Sequence, residues 1–156
     1  MNAQAVGPSA GSADGPPGEA GPRVLVVDDN EMLRSLLARV LGGEGFQVST
    51  AGSVEEALRL DPAAHDVVLV DLRLGGRPGT DLVDELRQAE PGAADRCILL
   101  TGGLGLDPVP ADLPVVTKPF TADSLVAAVR RTLVARRAGA GQRTEDRDRG
   151  TGTEPR

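Results

Sequence analysis

Five short apolar runs recur along the middle of the chain, and segments with helical periodicity separate them. The runs are rich in β-branched residues and almost continuously apolar, which is typical of strands buried on both faces of a sheet. They are VLVV (24–27), QVSTA (47–51), VVLV (67–70), CILL (97–100) and VVTK (115–118). Strands that alternate with helices in this way predict a parallel sheet with helices on both faces.

The segments between the runs combine apolar stripes with the polar signals of helix ends. The first helix is expected to end at Gly42 and Gly43. Ser53 and Glu56 form a predicted capping box at the start of the second helix, and Thr121 is the predicted N-cap of the last. The stripes expected to face the core are Met32, Leu33, Leu36, Leu37, Val40 and Leu41 in the first helix, Leu82, Val83 and Leu86 in the third, and Leu125, Val126, Val129 and Leu133 in the last.

The connection between the fourth and fifth runs differs from the others. Residues 102–114, GGLGLDPVPADLP, contain three glycines and three prolines. This composition cannot support a helix of ordinary length, because proline lacks an N–H donor and glycine loses much backbone entropy on folding. We therefore predict a shortened or irregular fourth helix, with no more than a turn around residues 110–113.

Both ends of the chain have compositions that differ from the middle. Residues 1–22 are rich in Gly, Ala, Pro and Ser, and residues 139–156 are charged with almost no apolar side chains. Neither segment buries enough apolar surface to offset the entropy of ordering it, so both are predicted to be disordered tails. The predicted domain is therefore 23–138. Aromatic residues make up only 1% of the chain, so Val, Leu and Ala must fill its core.

Charge and composition narrow the class of function. The chain has 17 basic and 23 acidic residues and a net charge of −6, which argues against a protein that binds nucleic acid through its phosphates. No segment resembles a membrane span or a secretory signal, so we expect a cytoplasmic protein without membrane insertion. The single cysteine, Cys97, is expected to be a buried apolar residue, and the single histidine, His65, a surface residue.

Polar residues stand where the predicted strands end. Asp28 and Asp29 follow the first strand, Asp71 follows the third, Thr101 follows the fourth, and Lys118 ends the fifth. In an open parallel sheet, ligand sites gather at the carboxyl ends of the strands. The five side chains are therefore predicted to share one pocket.

Three carboxylates in one pocket predict a bound cation, because like charges would otherwise raise one another's pKa. Carboxylate oxygens with room for water suit Mg²⁺, which also favours phosphate oxygens. One carboxylate could then attack phosphorus and form an acyl phosphate, with Lys118 and the Thr101 hydroxyl contacting the phosphoryl oxygens. Taken singly, each residue has a simpler interpretation: the acidic pair caps a helix, Thr101 ends a strand, and Lys118 begins a loop. Only the whole set favours the pocket.

The set Asp28, Asp29, Asp71, Thr101 and Lys118-Pro119 resembles the receiver domain of two-component response regulators, in a stand-alone, chemotaxis-regulator-like form. The resemblance covers residues 23–138, and Gly79, eight residues after Asp71, also matches a glycine of that family. It implies a flavodoxin-like, doubly wound five-stranded parallel sheet with strand order 2-1-3-4-5.

The resemblance also implies roles for individual residues. Asp71 would accept a phosphoryl group from the phosphohistidine of a sensor histidine kinase or phosphotransfer protein. Asp29 would bind Mg²⁺ directly, Asp28 mostly through water, and the backbone carbonyl of Arg73 would be another ligand, beside Asp71 itself. Thr101 and Lys118 would contact the phosphoryl group. Pro119 would follow a cis peptide bond.

The resemblance leaves the output open. Only 18 residues follow residue 138, so we expect no separate enzymatic output beyond self-phosphorylation and self-dephosphorylation. The signal would pass to an unknown downstream protein, through a homodimer, or by onward phosphotransfer. A receiver clipped from a hybrid kinase would have the same sequence features.

Some positions depart from the family pattern. Val115 stands where the family usually has an aromatic residue, and the connection from Thr101 to Lys118 is shorter than usual by about a helical turn or more. Leu74-Gly75 replaces the usual Met-Pro pair. These departures keep a second interpretation open, a pseudo-receiver that binds a protein partner without phosphorylation. A phosphohydrolase of the haloacid-dehalogenase type is a weaker alternative, because Arg73 occupies the position of its catalytic acid.

Overall fold

The computed structural model describes residues 21–102 and 109–149. In chain order its elements are β1 (Arg23–Val27), α1 (Glu31–Gly43), β2 (Gln47–Ala51), α2 (Val54–Arg59), a 3₁₀ turn (Pro62–Ala64), β3 (Val67–Asp71), β4 (Arg73–Leu74), β5 (Arg77–Pro78), α3 (Thr80–Ala89), a second 3₁₀ turn (Ala93–Arg96), β6 (Cys97–Thr101), β7 (Val115–Thr117) and α4 (Ala122–Arg149).

Five of the strands form one parallel sheet in the order β2-β1-β3-β6-β7. Because β6 and β7 are the fourth and fifth apolar runs, this is the predicted order 2-1-3-4-5, and the α/β fold is confirmed. The strand bounds agree with the apolar runs to within a residue at each end. The order reverses between β1 and β3, so a crevice opens at the carboxyl ends of these two strands.

The sheet is buried on both faces because helices cover each of them. Alternate residues of β1 point to opposite sides: Val24 and Val26 belong to one apolar cluster, and Leu25 and Val27 to the other. The first cluster includes α1 and α4, and the second includes α2 and α3. Cys97 is buried among apolar neighbours as predicted, and burial raises the pKa of its thiol to about 12.

The helix ends follow the sequence signals. The Ser53 hydroxyl accepts a hydrogen bond from the backbone N–H of Glu56 at 3.1 Å. The Glu56 carboxylate accepts from Gly52 N–H at 2.5 Å, one residue before the partner that a capping box would give it. The Thr121 hydroxyl accepts from Ser124 N–H at 3.0 Å, which confirms the cap of α4.

Neighbouring elements cover only part of the apolar stripe of α1. Leu37 and Leu41 are buried in the core, whereas Met32 is 83% exposed and Leu36 is 52% exposed. The predicted burial of Met32 and Leu36 is therefore wrong. Periodicity places a residue on a face of a helix, but the neighbouring elements decide how much of that face is covered.

The only histidine is also placed differently from the sequence expectation. His65 is 3% exposed, and its Nδ1 lies 3.0 Å from the carbonyl oxygen of Asp61, to which it donates. The buried Arg96 guanidinium donates to the carbonyl oxygens of Ala63 and His65, both at 2.7 Å. Arg96 thus holds the segment around His65 against the domain, which the local polar sequence did not indicate.

The ends of the predicted domain are only partly comparable with the structure. Helix α4 continues to Arg149, where the sequence analysis placed a disordered tail from residue 139. Ala138, Ala140, Gln142 and Arg143 favour a helix, whereas Gly139 and Gly141 each disfavour it by about 1 kcal/mol relative to alanine. Residues 1–20, nearly all of the first predicted tail, and residues 150–156 of the second lie outside the described residues, as do residues 103–108 of the fourth connection. Its described part has a turn at residues 111–112 and no helix. Within the described ranges, none of the helices has the length and apolar character needed to cross a membrane.

Candidate functional site

Three carboxylates meet at the carboxyl edge of the sheet. Asp28 follows β1, Asp29 comes next, and Asp71 is the last residue of β3. One oxygen from each lies within 4.8 Å of the others. Asp28 is completely buried and Asp71 is 7% exposed, whereas Asp29 is exposed to solvent. The cluster therefore has two carboxylates inside the protein and one that water can reach.

The loop that carries Asp28 is fixed by hydrogen bonds on several sides. Its backbone N–H donates to the carbonyl oxygen of Ala51 at 3.1 Å. Its Oδ1 accepts from Asn30 N–H at 2.8 Å, and its carbonyl oxygen accepts from Arg34 Nη1 at 2.6 Å. Asn30 in turn caps α1, since its side-chain oxygen accepts from Leu33 N–H at 3.1 Å. The acidic turn, residues 28–30, and the start of α1 are thus joined by hydrogen bonds.

Two neighbouring backbone segments, at Arg73 and at Gly79, pack against Asp71 at the end of β3. Its Oδ1 accepts from Arg73 N–H at 3.0 Å. Gly79, at the start of α3, lies so close that a Cβ there would stand 2.0 Å from the Asp71 carbonyl oxygen. The Gly79 N–H donates to the carbonyl oxygen of Leu72 at 2.9 Å. A glycine at this position therefore lets α3 approach the strand that carries Asp71.

Lys118 joins the two buried carboxylates. Its Nζ lies 2.8 Å from Asp71 Oδ2 and 3.1 Å from Asp28 Oδ2. The Lys118-Pro119 peptide bond is cis, as the resemblance implies, and Lys118 N–H donates to the carbonyl oxygen of Thr101 at 2.7 Å. Lys118 is the only lysine of the chain, so the only primary amine on a side chain lies in this pocket.

The electrostatics of the pocket follow from burial and close charges. Burial raises the pKa of Asp28 above its ordinary value, and the nearby charge of Asp71 acts in the same direction, against the Asn30 N–H and Lys118. Burial opposes the charged form of Lys118, but the hydrogen bonds and charges of Asp71 and Asp28 together outweigh it and raise the Lys118 pKa. Lys118 is therefore an ammonium near neutral pH, and a further cation beside the cluster would favour the charged form of Asp28.

Thr101 and Arg73 are the remaining two residues that the sequence predicts for the site. Thr101 is the last residue of β6 and is 8% exposed, with Thr117 of β7 directly beside it. Arg73 begins β4, two residues after Asp71, and its side chain is exposed. All six predicted residues therefore stand at one edge of the sheet, and direct contacts join Asp28, Asp71 and Lys118.

The donor set fits a hard divalent cation. Three carboxylates offer oxygen ligands only, and the exposed Asp29 leaves room for the waters that Mg²⁺ retains. One ammonium faces two buried carboxylates, so negative charge remains in the pocket for a cation to offset. Asp28, Asp29 and Asp71 are accordingly the candidate metal ligands.

Sequence reasoning missed two features beside the pocket. The segment after Asp71 forms a small hairpin, β4–β5, that turns at Gly75 with a positive φ of 68°. A Cβ at Gly75 would stand 3.4 Å from Asp29 Oδ2, so this turn borders the exposed carboxylate. The adjacent Gly75 and Gly76 are a turn signal from which this hairpin could have been predicted. The contact of Arg34 with the acidic turn had no such signal.

Comparison with known proteins gives consistent similarities. The family model of the response regulator receiver domain matches residues 24–130. Over 88 residues the chain is 46% identical to the transcriptional regulatory protein AruR of Pseudomonas aeruginosa, a match that covers 52% of this chain and 34% of that protein. Over 127 residues it is 36% identical to the sensory transduction protein RegX3 of Mycobacterium tuberculosis, covering 74% of this chain and 52% of that protein. The chain therefore spans about half the length, or less, of these curated relatives.

A solved structure agrees with the fold. The crystal structure of a response regulator receiver domain protein from Clostridium thermocellum superposes with a TM-score of 0.67 at 26% identity. The match covers 75% of this chain and 98% of that chain. The similarity thus extends over nearly the whole of an independently solved domain.

Proposed function

The chain belongs to the response regulator receiver family, and on this basis we propose that Asp71 accepts a phosphoryl group from the phosphohistidine of a sensor histidine kinase or phosphotransfer protein. The observation that carries the proposal is the pairing of Lys118 Nζ with Asp71 and Asp28 inside a cluster of three carboxylates. Capping of α1 alone would not require an ammonium from the far side of the sheet, 90 positions away from Asp28.

The reaction requires a carboxylate oxygen that the donor's phosphorus can reach and positive charge to offset the phosphoryl oxygens; the Asp71 side chain keeps 10% of its surface exposed. A lone pair of the Asp71 carboxylate attacks phosphorus, the P–O bond forms, and the P–N bond of the donor breaks with its electron pair passing to the imidazole. Lys118 already contacts Asp71, so it can stay close to the phosphoryl oxygens when the carboxylate charge is used in the new bond. The Thr101 hydroxyl, at the end of the neighbouring strand, is the second proposed contact.

Asp28, Asp29, Asp71 and the Arg73 carbonyl would hold Mg²⁺. When bound, Mg²⁺ supplies positive charge that offsets the phosphoryl oxygens and the acidic cluster. The N–H of Arg73 donates to Asp71 Oδ1 at 3.0 Å, which keeps the backbone of residue 73 beside that carboxylate. Both Asp28 side-chain oxygens already accept hydrogen bonds, from Asn30 N–H and from Lys118 Nζ, whereas Asp29 is exposed, which supports the proposed division between a ligand acting through water and a direct one.

The output of the phosphorylated domain is a separate proposal. AruR is named a transcriptional regulatory protein, and this chain covers only 34% of it. We propose that residues 23–138 do not themselves bind nucleic acid, because the chain carries more acidic than basic residues. A downstream protein, or a second copy of the chain, would then receive the signal.

The proposal can be tested with beryllium trifluoride, an analogue of the phosphoryl group. In ¹⁹F NMR spectra we expect signals of bound fluoride for the wild type with Mg²⁺, and none for Asp71→Asn. Bound fluoride in a folded Asp71→Asn variant would contradict the assignment of Asp71.

A second candidate function is a pseudo-receiver that binds its partner without phosphorylation. Val115 favours it, because this strand residue is 39% exposed and has no ring whose position could report the state of Thr101. Under this alternative, ¹⁹F NMR spectra of the wild type would show no bound fluoride at any Mg²⁺ concentration. The wild type and Asp71→Asn would also bind the partner protein with equal affinity.

A further inference from the structure

Arg34 reaches from α1 to the backbone of the acidic turn. Its Nη1 donates to the carbonyl oxygen of Asp28 at 2.6 Å, and its own N–H donates to the carbonyl oxygen of Asn30 at 3.0 Å. The guanidinium therefore holds the peptide group that links Asp28 to Asp29. These are the two residues of the turn that supply candidate metal ligands.

Gly52 provides the space in which this guanidinium lies. A Cβ at Gly52 would stand 2.9 Å from Arg34 Nη1, which is closer than real Cβ contacts allow. The position is otherwise anchored, since Gly52 N–H donates to the Glu56 carboxylate at 2.5 Å. The preceding residue, Ala51, accepts the backbone N–H of Asp28. The acidic turn is therefore hydrogen-bonded on two sides, by Ala51 at the end of β2 and by the side chain of Arg34.

We propose that Arg34 is a positioning residue for the metal site: through the Asp28 carbonyl it orients the Asp28–Asp29 peptide, and Gly52 leaves the space that this contact needs. The inference rests on the proposed function, because it assigns a second layer of support to the Mg²⁺ ligands. Partners behind metal ligands typically change metal affinity by 10–100-fold when they are removed. Arg34 acts through the backbone and not on a ligand oxygen, so we expect the lower end, about 10-fold.

The charge of Arg34 and its hydrogen bond to the Asp28 carbonyl affect Mg²⁺ affinity in opposite directions, so replacing Arg34 can tell which effect dominates. A guanidinium near the site repels Mg²⁺, so removing its charge should by itself tighten Mg²⁺ binding. Loss of the hydrogen bond frees the acidic turn, so removing the positioning contact should weaken binding. The sign of the change in Mg²⁺ dissociation constant therefore separates the two effects.

The experiment measures Mg²⁺ binding to the unphosphorylated full chain by calorimetry. The variants are Arg34→Met, Arg34→Lys, Gly52→Ala and the double variant, with Arg39→Met as the control because Arg39 is exposed on the same helix. Thermal unfolding in EDTA shows whether each variant is folded. Gly52→Ala need only displace the flexible end of Arg34, so it keeps the test decisive if Arg34→Met fails to fold.

We expect Arg34→Met and Gly52→Ala each to weaken Mg²⁺ binding about 10-fold, and Arg34→Lys to weaken it less, since it keeps a donor and the charge. The double variant should be no weaker than Arg34→Met, because both changes remove one contact. Unchanged or tighter binding in folded Arg34→Met or Gly52→Ala, beside a wild type that binds Mg²⁺, would overturn this inference alone. A wild type that binds no Mg²⁺ would overturn the proposed metal site and the inference with it.

Discussion

Replacing Lys118 with methionine removes the ammonium from the acidic pocket and keeps an unbranched side chain of similar length. In the native protein Nζ lies 2.8 Å from Asp71 Oδ2 and 3.1 Å from Asp28 Oδ2. The Asp28 side chain has no exposed surface, and that of Asp71 is 10% exposed. The variant leaves two neighbouring carboxylates poorly hydrated and without their shared cation.

The size of the effect follows from these contacts. A hydrogen bond to a charged group contributes about 1.5–3 kcal/mol, and removing one partner of a buried ion pair costs roughly 3–5 kcal/mol. The Lys118 side chain is 27% exposed, so water weakens its attraction, and its loss also relieves the desolvation of the ammonium. We therefore expect Lys118→Met to lower the free energy of unfolding by about 2 kcal/mol near neutral pH in EDTA.

Urea unfolding followed by circular dichroism measures this loss. With a urea dependence of about 2 kcal/mol per molar, the midpoint should fall by about 1 M. Added Mg²⁺ should recover part of the stability of the variant, because a ligand that binds only the folded state stabilises it.

A control in a chain without the two buried carboxylates separates the effect of the lysine charge from that of its side-chain packing. In a chain that also carries Asp28→Asn and Asp71→Asn, the lysine has no carboxylate to neutralise, and Lys118→Met should cost less than about 1 kcal/mol. An equal loss in both backgrounds would show that packing of the lysine stem, and not its charge, stabilises the pocket, and would refute the reasoning.

Three further predictions concern other parts of the chain. Gly79→Ala places a Cβ 2.0 Å from the Asp71 carbonyl oxygen, so it should lower the free energy of unfolding by about 1–3 kcal/mol in urea unfolding, whereas Gly76→Ala, with open space around it, should not. Burial lowers the pKa of His65, and its Nε2 has no hydrogen-bond partner among the described residues. The unfolded chain therefore binds the extra proton first, so stability should fall as the pH drops below about 6.5, and His65→Gln should remove that part of the pH dependence. Asp29→Ala should weaken Mg²⁺ binding in calorimetry while leaving unfolding in EDTA almost unchanged, because the Asp29 side chain is exposed; equal Mg²⁺ affinity would argue against Asp29 as a ligand.

The sheet and the position of the candidate site could be predicted because both depend on local pattern. Continuous apolar runs such as VVLV, residues 67–70, indicate strands buried on both faces, and parallel strands place the residues that follow them at one edge. The sequence therefore predicts that Asp28, Asp71 and Lys118 lie together although they are far apart along the chain, and their contacts agree. The roles of these residues in phosphoryl transfer stay predictions.

The remaining features depend on how elements approach one another, which local pattern does not carry. His65 was expected at the surface, yet the Arg96 guanidinium donates to its carbonyl oxygen and the residue is buried. Met32 continues an apolar stripe, yet nothing among the described residues covers it and it is 83% exposed. The contact of Arg34 with the Asp28 carbonyl needs the residue after β2, Gly52, to have no side chain, a condition visible only in three dimensions.

Phosphorylation of Asp71 is the central claim, and intact-mass spectrometry tests it most directly. The wild type and Asp71→Asn would be incubated with acetyl phosphate and Mg²⁺ and weighed before the acyl phosphate hydrolyses. We expect one phosphoryl adduct on the wild type and none on Asp71→Asn, with the wild-type adduct lost when EDTA replaces Mg²⁺. An adduct of equal yield on folded Asp71→Asn, or none on the wild type with either acetyl phosphate or a phosphorylated histidine kinase, would contradict the account.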